Sequence, residues 1–296
     1  MSWHGSRQYR PDGGADHARE RHALLAELIE GDPGHPALAS PAGQPNHHGD
    51  PSGDARLKRQ WGSKLAIDPA YEVLRNAAKF NTHADPQLAE ATLRRWAEAF
   101  PQHVEPKKRL AQFLMLDSRA GVEPLGAAAR ERAAEALALL QEVKRHTPAT
   151  QAVLVVQEIA EAALAAGEDD VAREAAERLL DPGFADPQNA WNAGNRTFDA
   201  HHVLGHLALR RGDPDAAATH LRAAGETIGS PQLNSFGPDL SLADALLQEG
   251  RRDEVVGFLR DIGAFWNGRD EKIGDWIALI EAGRTPRLSR VPRPGP

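Results

Sequence analysis

The sequence contains no cysteine among its 296 residues. Disulfide bonds, thiolate metal sites, iron–sulfur clusters and cysteine nucleophiles are therefore excluded. Aromatic residues make up only 5% of the chain, so the core must be built mainly from aliphatic side chains. Any metal ion bound here would need nitrogen and oxygen ligands.

A strong charge of either sign is absent as well. The formal net charge is −7 and the isoelectric point is near 6.0. This balance gives no overall attraction to nucleic acid or to anionic membranes, so we expect neither as a partner. The chain has no apolar run of about 18 residues and no secretory signal at its start, which predicts a cytoplasmic protein.

Residues 1–60 differ in composition from the rest of the chain. Between Gly31 and Gly53, ten of the twenty-three residues are Gly or Pro, a density typical of a linker. Residues 18–30 have the spacing of a short amphipathic helix. We therefore expect a disordered or loosely packed N-terminal extension over residues 1–60, holding a short helix and a Gly-, Pro- and His-rich linker. At the other end, residues 284–296 form an Arg- and Pro-rich tail.

Residues 68–283 carry Ala- and Leu-rich segments of helical spacing, separated by Gly, Pro or Asp. The alternating β-branched runs that strands need are missing, so we predict an all-α domain over this range. Two arrangements of the helices are open at this point. One is a helical repeat, and the other is an alanine-rich bundle without a repeat, since alanine is common in any helix.

The clearest unit covers residues 200–231, where Leu204 and Gly205 are followed by Gly212, Ala217 and Ala224. This pattern resembles the tetratricopeptide repeat (TPR). The resemblance implies an α-solenoid of TPR-like antiparallel helix pairs, in which small residues lie where two helices cross. Weaker copies place other residues in the position of Gly205, namely Ala77, Ala111, Ala160 and Ala243.

The resemblance also implies that one face of the first helix of each pair lines a concave surface. On the helix around residue 200 this face is a polar stripe of Asn192, Asn195, Asp199, His202 and His206. The positions alternate in steps of three and four, which keeps the side chains on one side of a helix. Neighbouring copies of the repeat contribute Gln157, Glu161 and Asp244 to the same groove.

Three chemical interpretations of the polar stripe are open. Asp199, His202 and His206 form a two-histidine, one-carboxylate set that suits a divalent metal, Zn or Fe(II). Alternatively, one imidazole oriented by Asp199 acts as a general acid or base while the asparagines hold a substrate. The third interpretation is a polar binding groove or an internally hydrogen-bonded face, for which no cofactor is expected.

We therefore expect a protein- or peptide-binding scaffold that uses a concave helical groove. Its partner would lie along the groove, anchored on Leu74, Leu164 and Leu247 and hydrogen-bonded to the polar stripe. The connection over residues 229–239 is long for a repeat turn, and its Leu233 and Phe236 indicate a loop that packs back on the domain over the groove mouth near His202. The alternative for this connection is a surface loop in which Phe236 fills a gap. The alternative function is a small-molecule or metal-dependent enzyme at Asp199, His202 and His206. The common phosphate-loop, hydrolase and dinucleotide motifs are absent from the sequence.

Overall fold

The computed structural model describes residues 11–45, 49–67, 70–116, 125–184 and 187–288. These residues form α-helices joined by turns and short 3-10 helices, and no strand occurs among them. The prediction of an all-α fold is therefore confirmed for this part of the chain. Backbone contacts divide the chain into two compact units, residues 1–113 and 114–296. The boundaries predicted from composition, near residues 60 and 283, stay predictions.

The first unit is built from α-helices and two 3-10 turns. The turns, Pro36–Ala39 and Pro41–Gly43, lie between the first two helices. The carboxylate of Asp85 accepts the backbone N–H of Leu88 at 3.0 Å and so caps the fourth helix. In chain order the helices are α1 Pro11–Gly31, α2 Pro51–Ile67, α3 Tyr71–Ala84, α4 Pro86–Ala99 and α5 Val104–Leu114.

The N-terminal extension is packed, so the expectation of a loose arm with a linker is wrong for its described residues. Ile29, Leu38 and Trp61 are almost fully buried. Three side chains of α2 also donate to carbonyl oxygens of α1, each 34 residues earlier, so the two helices run in the same direction. A high Gly and Pro content prevents a long helix between α1 and α2, but it does not prevent two compact 3-10 turns from covering apolar surface.

The second unit contains nine α-helices in its described part. Consecutive helices pack against each other from α6 to α10, α9 also contacts α7, and α10 contacts α13. Gly167 and Gly212 have positive φ angles of 85° and 74° and follow the ends of two of the helices. The helices are α6 Ala127–Arg145, α7 Val153–Ala166, α8 Asp169–Leu180, α9 Ala193–Arg210, α10 Pro214–Gly225, α11 Pro231–Phe236, α12 Ser241–Gln248, α13 Arg252–Gly263 and α14 Asp270–Glu281.

Small residues are buried where the helices of the second unit meet. Ala160, Ala217 and Ala243 are fully buried. Gly205 lies against Leu242 of α12, and a Cβ atom at Gly205 would come within 2.3 Å of that side chain. The absence of a side chain at Gly205 therefore allows α9 to approach α12. The repeat pattern indicates a different neighbour, α10, at this position.

The first residues of the C-terminal tail are held against the second unit. Leu288 is buried, and its backbone N–H donates to the carboxylate of Asp244 at 2.6 Å. The rest of the predicted tail, residues 289–296, lies outside the described residues. Across the described chain, no helix combines the length and the apolar character needed to cross a membrane.

Candidate functional site

The polar stripe runs from the 3-10 turn Pro187–Asn192 along one face of α9. Its side chains meet α7 on one side and the segment 230–241 on the other. The stripe has two chemically different ends. We call Asn192, Asn195 and Asp199, with Gln157, the amide end; His202 and His206, with Asp239 and Ser241, form the imidazole end.

The amide end is a continuous chain of hydrogen bonds. The Nδ2 group of Asn192 donates to Oε1 of Gln157 at 2.5 Å, and Nε2 of Gln157 donates to Oδ2 of Asp199 at 2.8 Å. Asn195 donates to the side-chain oxygen of Asn192 at 2.8 Å. Because Asn192 and Gln157 are buried, these bonds replace the water that the two amides lose on folding. The amide end therefore fastens α9 to α7.

Asn195 links the amide end to the connection between α10 and α12. Its side-chain oxygen accepts the hydroxyl of Ser230, and its Nδ2 group lies 3.4 Å from Oε1 of Gln232. In the same region Thr227 donates its hydroxyl to the carbonyl oxygen of Gly194 at 3.0 Å. The start of α9 is thus tied to the loop that precedes α11 and to α11 itself.

The imidazole end is centred on one hydroxyl group. The Oγ atom of Ser241 lies 3.0 Å from Nε2 of His202 and 3.1 Å from Nε2 of His206. The two rings are close to perpendicular, with centroids 4.7 Å apart. Asp239 Oδ1 accepts the backbone N–H of Ser241 at 2.8 Å and lies 3.5 Å from Nε2 of His202. Two imidazoles from α9 therefore converge on the Oγ atom of Ser241, the first residue of α12.

The two imidazoles differ in their affinity for a proton. Burial lowers the pKa of His202, but the nearby carboxylates, Asp239 before Asp199 and Glu161, outweigh burial and raise this pKa overall. Burial and the charge of His202 lower the pKa of His206 to about 3. The pair therefore takes up its first proton on His202, while His206 stays neutral down to strongly acidic pH.

Asp239 carries the matching negative charge. Burial would raise its pKa, but the charge of His202 and the hydrogen bonds from His202 and Ser241 hold the pKa of Asp239 well below its usual range. Its side chain is nevertheless 51% exposed, so water weakens the attraction between Asp239 and His202. The pair fixes where the proton lies more than it adds to stability.

The predicted metal ligands have other partners. Asp199 accepts a hydrogen bond from Gln157, and both His202 and His206 lie against Ser241. Within residues 11–45, 49–67, 70–116, 125–184 and 187–288, no group of three or more His, Cys, Asp or Glu side chains is arranged to hold a metal ion. Zn or Fe binding by Asp199, His202 and His206 stays a prediction from the sequence.

The other predicted groove residues are dispersed. Glu161 on α7 is close enough to His202 to contribute to its raised pKa. Asp244 accepts the N–H of Leu288 from the tail. Phe236, at the end of α11, is 66% exposed, whereas Leu233 in the same helix is buried. The connection over residues 229–239 reaches His202 through Asp239, whereas Phe236 itself is exposed.

The predicted aliphatic anchors cannot serve a partner. Leu74, Leu164 and Leu247 are all buried, Leu74 completely. The expectation that these leucines line the ends of an open groove is therefore wrong. Leucines at helical spacing pack equally well into a core, and their spacing alone does not distinguish the two environments.

Sequence reasoning missed Asp239 and Ser241 as partners of the histidines. A signal for their local role exists, because Asp and Ser just before an apolar helical segment favour a helix start. No local signal shows that this helix start lies against His202, which is 39 residues away along the chain from Ser241.

A depression of about 750 Å³ lies beside the imidazole end. Its wall includes His206 and Leu209 of α9 and Ala245 of α12. Arg210 lines it too, and its guanidinium donates to Asp169 at 2.6 Å and to the carbonyl oxygen of Leu164 at 2.7 Å. The depression combines an imidazole, apolar side chains and charged groups in one wall.

Comparison with known proteins gives no relative from which a function could be transferred. No protein-family model, no curated protein and no solved structure matches this chain.

Proposed function

We propose that this protein is a TPR-like α-solenoid scaffold that binds a protein or peptide partner. The observation that supports this proposal is the exposure of three large apolar side chains, Trp191, Ile228 and Phe236, which are 44%, 85% and 66% exposed. We take these three side chains to form one apolar patch. They are three of the seven large hydrophobic side chains that are exposed in the described part of the chain. Clustered exposed apolar side chains mark interaction surfaces more often than scattered ones do.

Contacts around the first turn of α9 support the clustering. Trp191 lies in the 3-10 turn that leads into α9. Ile228 adjoins Gly229, whose backbone lies directly against Gly194. Phe236 ends α11, a six-residue helix whose N-cap, Ser230, is bonded to Asn195. Three segments with exposed apolar side chains are therefore connected to the first turn of α9.

The partner that suits this patch is a helical or extended segment with two or more large apolar side chains. Each such side chain contributes roughly 1.5–3 kcal/mol when it is fully buried. The amide of Gln232, whose Oε1 lies 3.4 Å from Nδ2 of Asn195, is close to these residues and can offer hydrogen bonds to a partner backbone. In this proposal the interior of the polar stripe holds α7, α9 and α12 together, and the partner docks at the amide end.

The solenoid part of the proposal has separate support. Successive helices of the second unit pack on each other from α6 to α10, and Ala160, Ala217 and Ala243 of the repeat pattern are buried. In the first unit, α1 and α2 run in the same direction with a register of 34 residues, which is the length of a TPR unit.

A site-specific crosslinking experiment tests partner binding. A photoreactive amino acid is placed at Ile228 and, as the matched control, at Ile67, which is 83% exposed in the first unit. We expect one partner segment to crosslink at Ile228 and not at Ile67. That segment, made as a peptide, should bind the wild-type chain and lose about tenfold or more in affinity to a Trp191→Ala, Phe236→Ala variant with an unchanged circular dichroism spectrum.

Two results would contradict this function. One is equal crosslinking at both positions, which would indicate nonspecific contact. The other is a peptide affinity that does not change when Trp191 and Phe236 are truncated, which would place the binding surface elsewhere on the chain.

A further inference from the structure

The imidazole end supports a second activity that does not depend on partner binding. We propose that Ser241 is an activated nucleophile, flanked by His202 and His206, that accepts the acyl group of a small carboxylic ester. The residues and roles differ from the Asp199-based site that the sequence predicts, because the structure pairs the imidazoles with Ser241 and Asp239.

The hydrogen-bond geometry assigns different roles to the two imidazoles. A hydroxyl group has one proton to donate, and Ser241 Oγ lies within 3.1 Å of both Nε2 atoms. The neutral ring of His206 accepts that proton, so His206 is the general base. His202 directs Nε2 toward Ser241 Oγ and Asp239, and in its protonated form its charge stabilises the negative charge that develops on the reacting oxygens.

The position of Ser241 in its helix adds further stabilisation. Ser241 is the first residue of α12, and the N–H groups of a first helical turn have no acceptor within their own helix. The carboxylate of Asp239 already accepts the N–H of Ser241, so only the N–H groups that follow Ser241 in this turn remain to stabilise an oxyanion on a substrate. The next turn of α12 carries Ala245, which lines the depression of about 750 Å³ together with His206. His206 is the residue that contacts both Ser241 Oγ and this depression.

The reaction needs only an ester and water. Ser241 Oγ attacks the carbonyl carbon as its proton moves to Nε2 of His206. The bond between that carbon and the alcohol oxygen then breaks, and the alcohol leaves with the proton from His206. Water next attacks the acyl carbon and gives a proton to His206, the bond to Ser241 Oγ breaks, and the serine recovers its proton as the carboxylic acid leaves.

The weak basicity of His206, whose pKa is about 3, predicts that both acylation and turnover are slow. Only activated esters should therefore label Ser241, and the resulting acyl-serine is detected by mass.

Acylation is tested on the full chain with p-nitrophenyl acetate and a fluorophosphonate, followed by intact mass and peptide mapping. We expect one adduct per chain, on Ser241, and none there in Ser241→Ala. His206→Gln should label about 100-fold more slowly, whereas Ser63→Ala, an exposed serine of α2, should label like wild type. No adduct on wild-type Ser241, or equal rates in His206→Gln and wild type, would overturn the proposal.

The absence of cysteine allows a second measurement that does not require the serine to be labelled. Ser241→Cys and Ser63→Cys would each carry the single thiol of the chain. Two flanking imidazoles should make the thiol at position 241 react with iodoacetamide at pH 7 about tenfold or more faster than the thiol at position 63. An equal or slower reaction would show that position 241 is neither activated nor accessible, and the proposal would be wrong.

Discussion

Gly194 at the start of α9 faces the carbonyl oxygen of Gly229 so closely that a Cβ atom at residue 194 would lie 1.8 Å from that oxygen. Gly229 has a φ of +74°, which side chains other than hydrogen rarely allow. The two glycines thus permit a backbone contact that joins the loop carrying Ile228 to α9. The apolar patch and the amide end both depend on this contact.

A methyl group at Gly194 should therefore destabilise the second unit. We expect Gly194→Ala to lower the free energy of unfolding by about 1–3 kcal/mol, because the Gly229 carbonyl cannot move without disturbing the Thr227 and Ser230 hydrogen bonds. Urea denaturation measures the change. Gly274→Ala is the control: this glycine is exposed in α14 with no atom near its Cβ position, and alanine there should add about 0.5–1 kcal/mol. Equal effects of both substitutions would contradict the close approach.

Two buried asparagines of α3 should respond in opposite directions. Asn76 is fully buried and donates to the carbonyl oxygens of Pro33 and His35 at 2.9 and 3.1 Å. Asn76→Leu should cost about 1–3 kcal/mol and make the segment between α1 and α2 more sensitive to protease, since it leaves buried carbonyls without a donor.

Asn81 is equally buried, but neither atom of its amide has a hydrogen-bond partner among the described residues. Asn81→Leu should therefore be neutral or raise the midpoint of thermal unfolding, because it removes a buried polar group that no bond compensates. A loss of stability at Asn81 as large as at Asn76 would show that the Asn81 amide is satisfied.

A second carboxylate in the amide end should make the protein lose stability, relative to wild type, as the pH rises. In Gln157→Glu the new side chain lies beside Asp199, and the two like charges should raise their pKa values in the folded state. A raised carboxyl pKa stabilises at acidic pH and destabilises as pH rises, so the deficit of this variant against wild type should grow between pH 4 and 7. Gln141→Glu, on an exposed position of α6, should show no such growth.

The histidine pair should make the protein less stable in mild acid. In the unfolded chain both imidazoles bind a proton below about pH 6.5, whereas the folded pair binds only one until His206 titrates near 3. The stabilisation that comes from the raised pKa of His202 is complete below pH 6.5. It therefore does not make the free energy of unfolding change with pH in that range. The lowered pKa of His206 should reduce stability by roughly 2 kcal/mol between pH 6.5 and 5.

The comparison of wild type with His206→Gln isolates this effect, because His201 and His220 also have lowered pKa values and affect both proteins alike. Urea denaturation at several pH values gives the free energy of unfolding as a function of pH. In mild acid this free energy should fall less steeply in the variant, by the equivalent of about one proton taken up on unfolding. His17→Gln, an exposed position of α1, should leave the slope unchanged. An unchanged slope in His206→Gln would mean that His206 takes up its proton at an ordinary pKa.

Local patterns account for the features that the sequence predicted correctly. The all-α fold follows from helical spacing without strand signals, and the alignment of Asn195, Asp199, His202 and His206 on one face of α9 follows from the geometry of a single helix. Both properties are decided by residues within a few turns of each other. Helical spacing predicted the wrong environment for Leu74 and Leu164, which are buried. An apolar helix face has the same sequence pattern whether it packs in a core or binds a partner.

Local sequence patterns suffice to predict that this chain forms helices, that any metal ligands are nitrogen or oxygen, and that two histidines share one helix face. The residues that those histidines contact depend on how the helices pack. Ser241 reaches His202 and His206, and Gln157 reaches Asp199, because α7 and α12 pack on either side of α9. These contacts join residues 35 to 42 positions apart, and no local pattern encodes which distant helix faces meet.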